Sequence, residues 1–340
     1  MPEGRRRSDI EGERKSLRDT RRASRCFACA QWAFLSIAWI ALLTPCVGLA
    51  QTYEATDTPF VASDGPPDPT EYTETFAAVG WTPEAFDVWV GGAADPAANP
   101  QVRPIRFPSP HPSEDASLAT VTARWYIAQR PPDTAATEPL PAAVLVHTLH
   151  PQTPLTELIA TSIARRGVHA VIVDLPGYGL RSTLPRQPAN DDWPGIVAIQ
   201  QAARGVAEVR RACDAVAALP GIDPDRLVLQ GGSLGSFPAA IAAGLDARSR
   251  ALVLLLSGGD VIDVIEHGQK DAAKFRAALE SRGIDADERA RLIAHLEPLR
   301  VAHRLNPQTT WLLGARNDTV IPAANARALA DAIGLDETRY

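Results

Sequence analysis

The sequence predicts an α/β fold whose core is a mostly parallel, doubly wound sheet with helices on both faces. Short, continuously apolar segments alternate with segments of helical character, and strands that are buried on both faces have this appearance. A Gly-x-Ser-x-Gly motif stands between one such strand and a helix. The chain has 340 residues, 45% of them hydrophobic and 22% charged, which suits one large globular domain or two small ones.

The predicted strands share either an alternating pattern of apolar residues or a continuous apolar run. In chain order they are 102–107, 119–129, 142–147, 169–174, 226–230, 251–256 and 309–314. A loop rich in proline and threonine separates the strand at 119–129 from the strand at 142–147.

The segments between these strands carry helical patterns and helix-ending residues. Gly167 ends the first main helix, and Pro220-Gly221 ends the second. The predicted helices are 155–166, 205–219, 239–243, 271–281, 285–295 and 322–333, with a short helical piece at 83–90.

By composition the chain divides into three parts. Residues 1–50 form a basic segment followed by a signal peptide or membrane anchor, and residues 51–101 form a proline-rich leader with the short helix. Residues 102–340 form the α/β domain, with an insertion at about 260–304. The insertion has the length of a small helical cap over the strand ends, and a solvated surface excursion is the alternative.

Residues 26–50 contain no charged side chain, and Arg21, Arg22 and Arg25 precede them. Together with the small-x-small site Gly48-Leu49-Ala50, this pattern predicts an export signal. The length of the stretch also allows an uncleaved anchor. We therefore expect a protein that is exported, to a periplasm or the extracellular space, or attached to a membrane through 26–50.

The formal net charge is −6, and an excess of basic residues lies in the first 50, so the remainder is more acidic still. An acidic body argues against nucleic acid as a partner. No His-Glu-x-x-His spacing occurs, and no Gly-x-Gly-x-x-Gly follows a predicted strand. We therefore expect neither a metal nor a nucleotide cofactor.

Cysteine usage limits the covalent chemistry of the body. Cys26, Cys29 and Cys46 lie in the signal or anchor segment, which leaves Cys213 alone in the rest of the chain. A single cysteine excludes an intramolecular disulfide there, even in an oxidising compartment. Cys213 falls on the apolar stripe of helix 205–219, which indicates a buried structural thiol.

The Gly-x-Ser-x-Gly motif is Gly231-Gly232-Ser233-Leu234-Gly235. A strand that turns directly into a helix strains the residue at the tip, and side chains at the flanking glycines would collide. Ser233 is therefore expected to be presented at the turn. The Leu234 N–H would lie at a helix N-terminus, where backbone donors favour an oxyanion.

Several segments resemble the α/β-hydrolase superfamily, in particular its members that are similar to dienelactone hydrolase, acetyl esterase and prolyl oligopeptidase. The segments that carry the resemblance are VLVHTLH, VDLPGYGLRS, LPGIDPDRLVLQGGSLGS and LLGARNDTVIP. They occur along the chain in the same order as in the family. The resemblance implies an α/β-hydrolase fold from about residue 103 onward, and acyl transfer as the chemistry.

Residue by residue, the resemblance implies Ser233 as nucleophile and Asp318 as the acid of a catalytic triad. Leu234 would supply one oxyanion N–H, and Thr148 or, preferably, Leu149 the other. For Asp318 the alternative is capping of the helix that follows. Asp260, which follows the strand at 251–256, competes for the acid role, whereas Asp174 is expected to be structural.

Histidine departs from the family pattern, in which the base follows the acid along the chain. No histidine follows Asp318, so the base is unknown. The chain's histidines are His111, His147, His150, His169, His267, His295 and His303. Residues 337–340 have the pattern of an eighth strand that has just begun. We expect either a chain cut short before the base or a catalytically impaired relative.

Three functions follow as hypotheses. A serine hydrolase that acts on a small-molecule carboxylic ester is the first. A peptidase or amidase on the same fold is the second. The third, which belongs to another class, is a hydrolase-like protein that only binds its ligand.

Overall fold

The computed structural model describes residues 60–64, 79–149, 154–182, 197, 199–246 and 248–340. The signal or anchor segment 26–50, most of the leader and His150 lie outside these ranges. All of the described residues belong to one compact unit, Glu54–Tyr340. Among them, no helix is long and apolar enough to cross a bilayer.

The described strands form one sheet in the order β1-β2-β3-β4-β6-β5-β7-β8-β9. Strands β5 to β9 pair in parallel, and β1 to β4 add antiparallel pairs beyond β6. The strands are β1 (Phe60–Ser63), β2 (Ala85–Val90), β3 (Val102–Pro108), β4 (Thr120–Tyr126), β5 (Leu140–Val146), β6 (His169–Val173), β7 (Ile222–Gly232), β8 (Ala251–Leu255) and β9 (Thr310–Leu313).

The helices of the described residues are α1 (Ala116–Ala119), α2 (Pro154–Ala164), α3 (Ala202–Ala217), α4 (Ser236–Leu245), α5 (Val261–His267), α6 (Asp271–Ser281), α7 (Ala286–Ile293) and α8 (Ala323–Ile333). Alternate residues of β5 divide between two cores. Ala143 and Leu145 pack with α2, whereas Val144 and Val146 belong to the core shared with α3, α4 and α8. Helices therefore cover both faces of the sheet, as the sequence predicts.

Strand β5 has β6 on one side and β7 on the other, so the connections from these strands diverge beside it. Such a divergence leaves a crevice at the carboxyl ends of the strands, where α/β proteins bind ligands. The residues after β5 are His147 to Leu149, and the residue after β7 is Ser233. The topology thus brings two of the predicted site segments together.

Helices α5, α6 and α7 occupy the insertion between β8 and β9. Val264, Phe275 and Ile293 are buried in a second core together with Phe237 and Ile241 of α4. The insertion therefore packs onto the helix that follows the Gly-x-Ser-x-Gly motif.

One local prediction is wrong. Residues 83–90 were expected to be helical, but Ala85–Val90 is strand β2, because Phe86, Val88 and Val90 alternate into the core. At 337–340 the Arg339 and Tyr340 N–H groups donate to the Asp336 carbonyl in a turn, and the Arg339 carbonyl accepts from the Leu312 N–H of β9 at 2.9 Å.

A buried ion pair ties the edge of the sheet to α3. Asp64 and Arg211, whose side chains have no exposed surface, pair through two hydrogen bonds of 2.9 and 2.5 Å. The same carboxylate accepts from the Trp81 indole N–H at 2.8 Å and from the Glu84 N–H at 3.2 Å. The segment around β1 and β2 is therefore fixed by one carboxylate.

We predict that Asp64→Ala lowers the free energy of unfolding by about 3–5 kcal/mol, because it leaves a buried guanidinium without its main partner. Urea denaturation measures the loss. Asp331→Ala is the control, since it breaks an exposed i,i+4 pair with Arg327 and should cost less than about 0.5 kcal/mol. Equal losses in the two variants would contradict the assignment.

Candidate active site

Ser233 stands at the tip of a sharp turn between β7 and α4, with a φ of 47°. This left-handed conformation costs on the order of 1–3 kcal/mol for a residue other than glycine. A Cβ on Gly231 would lie 2.5 Å from both the Gly235 carbonyl oxygen and the Ser236 Cα. Strand and helix therefore close to a separation that only glycine permits, and the predicted strain at Ser233 is present.

The turn is held by its own backbone. The Ser233 carbonyl oxygen accepts a hydrogen bond from the Ser236 hydroxyl at 2.6 Å and another from the Ser236 N–H. Within the described part of the chain, no group hydrogen-bonds to the Ser233 hydroxyl. The side chain is half-buried.

The loop after β5 presses against this turn. A Cβ on Gly235 would collide with the carbonyl oxygens of Val146 and His147, and one on Gly232 would meet the Thr148 methyl group at 3.1 Å. Leu149 lines the same cavity as Ser233 and Leu234, whereas Thr148 does not.

His147 is a fixed structural group. Its Nε2 accepts from the Leu175 N–H at 3.1 Å, so the proton is assigned to Nδ1, which lies 2.7 Å from the Thr148 carbonyl oxygen. The ring packs against Tyr178, with centroids 4.7 Å apart. Burial lowers the pKa of His147, which keeps the ring neutral. Both ring nitrogens are engaged, so His147 holds the loop and is not free to act as a base.

Asp318 lies in the loop after β9 and shapes it. Its Oδ1 accepts from the Val320 N–H at 2.8 Å and from the Ile321 N–H at 3.1 Å. These two bonds close a turn before α8, whose N-cap is Pro322 without a side-chain hydrogen bond, so the alternative that Asp318 caps this helix is not observed. Val320 and Ile321 line the cavity of Ser233, and Asp318 fixes the turn that carries them.

Asp260, the competing acid, caps α5. Its Oδ1 accepts from the Asp263 N–H at 3.2 Å, and its backbone is left-handed with a φ of 53°. Glu297 completes the cap, accepting from the Asp260 N–H at 3.1 Å and from the Val261 N–H at 2.7 Å. Sequence reasoning missed Glu297, because it lies 37 residues along the chain from Asp260.

Asp174 is buried after β6 and accepts from the Thr122 hydroxyl at 2.7 Å. Arg181 follows it in the chain, donating to the Asp174 carbonyl at 3.0 Å and to both carboxylate oxygens of Glu208 on α3. Arg181 and Glu208 are each 1% exposed. These contacts attach the turn after β6 to α3 and give Asp174 a structural position, as expected.

None of the histidines that the structure describes lines the cavity of Ser233. His169 accepts at Nδ1 from the Trp125 indole N–H at 3.1 Å and from the Ala128 N–H at 3.0 Å. Burial lowers the pKa of His169 to about 4. His267 is exposed on α5 and lies 2.8 Å from Asp263 Oδ1. No base for Ser233 is therefore assigned.

The cavity beside Ser233 has a volume of about 70 Å³. Its walls come from the strand ends, from α4 and from the insertion. They are apolar except at Ser233 and Asp271, and they include Leu149, Ile199, Phe237, Val264, Phe275 and Leu296. An apolar group bonded to a carbonyl carbon at Ser233 could lie in this space.

Among the described residues, no group of histidine, cysteine, aspartate and glutamate could hold a metal ion. Cys213 is buried on α3 as a free thiol, and burial raises its pKa to about 11. The thiol is therefore neutral near pH 7, in the structural position that the sequence predicts.

Comparisons with known proteins support the fold. No protein-family model and no curated protein matches the sequence. The structure is similar to the acetyl xylan esterase from Paenibacillus sp. R4, with 16% identity, a TM-score of 0.56, and coverage of 77% of this chain and 83% of that one. The structure is also similar to acetyl xylan esterase 1 from Thermoanaerobacterium sp. JW/SL YS485, with 14% identity and a TM-score of 0.52. That match covers 81% of this chain and 86% of the esterase.

A puromycin-hydrolyzing peptidase from Mycobacterium tuberculosis is also similar, with 18% identity and a TM-score of 0.50. The match covers 73% of this chain and 40% of the peptidase. The sheet order, the Ser233 turn and these similarities define one class of fold. The chain has the α/β-hydrolase fold, as its sequence predicts.

We predict that Gly235→Ala lowers the free energy of unfolding by about 1–3 kcal/mol, since its Cβ would overlap two carbonyl oxygens that cannot move independently. Urea denaturation measures this loss. Gly92→Ala is the matched control, because nothing lies within 4 Å of its Cβ. If Gly235→Ala is as stable as Gly92→Ala, the close packing of the loop on the turn is wrong.

Proposed function

We propose that the protein is a serine hydrolase that cleaves a small-molecule carboxylic ester through an acyl-enzyme on Ser233. The observation that carries the proposal is the position of the Ser233 hydroxyl. It stands on a strained turn, without a hydrogen-bond partner in the described structure, and beside an apolar cavity at the carboxyl ends of the strands. This arrangement suits a nucleophile that attacks a carbonyl carbon.

In the proposed mechanism a base removes the proton of the Ser233 hydroxyl while Oγ attacks the ester carbonyl carbon. The Leu234 and Leu149 N–H groups stabilise the oxyanion, a contribution that is typically about 10²–10³ in turnover for one donor. The alcohol leaves with a proton, and water then releases the acid from Ser233. Asp318 is proposed to orient the base.

The cavity at Ser233 is small and apolar, which suits a short acyl group in either an ester or an amide. One comparison favours the ester. Two of the structures similar to this chain are acetyl xylan esterases, and the matches cover 77% and 81% of this chain. The puromycin-hydrolyzing peptidase matches through 40% of its own chain, and an amidase is therefore the second candidate. Export or membrane attachment remains a prediction that rests on residues 26–50 alone.

We predict that the purified protein hydrolyses p-nitrophenyl acetate and butyrate faster than peptide p-nitroanilides. Ser233→Ala should reduce ester turnover by at least about 10³-fold, because the covalent step is lost. Ser281→Ala is the control, because the Ser281 hydroxyl donates a hydrogen bond to the Ala278 carbonyl on α6. The ester turnover of this variant should equal that of the parent protein.

Each other outcome selects a different hypothesis. Faster cleavage of the anilides would favour the peptidase or amidase. Ester hydrolysis that survives in Ser233→Ala would contradict the proposed nucleophile. A folded protein that cleaves neither substrate would favour the hypothesis of a hydrolase-like binding protein.

A further inference from the structure

Two cavities meet at the side chain of Ile199. The first is the cavity of Ser233, about 70 Å³ in volume. The second, about 310 Å³, lies between the start of α3 and the end of α7. Of the residues that the structure describes, Ile199 is the only one that lines both. Ile199 is therefore part of the walls of both the small cavity at the nucleophile and the larger cavity.

The two spaces differ in chemistry. The walls around Ser233 are almost entirely apolar. The second cavity has apolar walls at Ala202, Ala203 and Leu292. Its polar side chains are Gln200, Glu288, Arg291 and His295. An apolar chain that passed Ile199 would enter a wider and partly polar space.

We propose that Ile199 sets the upper length of the acyl group, so that the substrates are esters of short apolar acids. This inference rests on the proposed function, because it assigns the acyl part of the substrate to the cavity at Ser233. The first cavity has less than a quarter of the volume of the second. A short acyl group such as butyryl is therefore expected to lie at Ser233 without displacing Ile199, whereas a long one is not.

Ile199 is suited to this role by its position and its shape. It is 3% exposed and packs in the second core with Phe237, Phe275 and Leu296. A β-branched side chain has few rotamers, so it does not swing aside easily. A longer acyl chain would have to displace a side chain that is packed on several sides.

The test compares p-nitrophenyl butyrate with p-nitrophenyl octanoate in the full-length protein and its variants. The parent should show a higher kcat/KM for butyrate. Ile199→Ala should raise the octanoate-to-butyrate ratio by at least about tenfold, since even one methylene changes such ratios by that factor in an apolar pocket. Ile199→Val, which keeps a β-branched side chain, should give a smaller increase. Leu292→Ala, which lines only the second cavity, should leave the ratio unchanged.

A binding measurement separates this inference from the proposed function. Alkyl boronic acids bind reversibly at nucleophilic serines, so the Kd values for butaneboronate and octaneboronate report the cavity without turnover. The same tenfold shift toward octaneboronate in Ile199→Ala supports the inference even if no ester is cleaved.

The inference is overturned if the parent prefers the eight-carbon ligands, if the ratio is the same in Ile199→Ala, or if the parent binds neither boronate. If ester hydrolysis requires Ser233 but the octanoate-to-butyrate ratio does not change in Ile199→Ala, the inference about Ile199 is wrong. The proposed function is unaffected by that result.

Discussion

The close packing of backbone on backbone at Gly231 and Gly235 is the constraint on which the candidate site depends. At Gly231 the end of β7 meets the start of α4, and at Gly235 the start of α4 meets the carbonyl groups that end β5. Neither contact leaves room for a Cβ. Because both glycines flank Ser233, the chain reverses there with a positive φ, and the hydroxyl is presented at the divergence of the strands.

Helix α3 carries the buried charges that hold the surrounding segments. Glu208 pairs with Arg181 from the turn after β6, and Arg211 pairs with Asp64 beside β1. The two α3 residues are three positions apart and so lie on the same side of the helix. Buried pairs of this kind add little net stability over apolar packing, but losing one partner is costly. They therefore fix where the turn and the N-terminal strands attach.

The sequence predicted the parts of the fold that follow from local pattern. Continuous apolar runs located β5 to β9, and the glycine spacing located the turn at Ser233. The error at 83–90 arose because Pro83 resembles a helix start, whereas the burial of Phe86, Val88 and Val90 depends on strand pairing with β1 and β3.

Long-range contacts account for what the sequence did not reveal about the site. Asp64 and Arg211 are 147 residues apart, and Glu297 reaches back to the start of α5. Ile199 precedes α3 in the chain but becomes a wall of the cavity only once the insertion packs onto α4. His147 accepts from the Leu175 N–H, 28 residues along the chain, and a sequence pattern does not reveal this contact.

The proposed role of Ser233 is that of the activated nucleophile of a hydrolase. The most direct measurement is mass spectrometry of the protein after treatment with a fluorophosphonate, followed by mapping of the modified peptide. We expect one adduct per chain, located on Ser233. An unmodified chain, or an adduct on another residue with Ser233 untouched, would contradict this role.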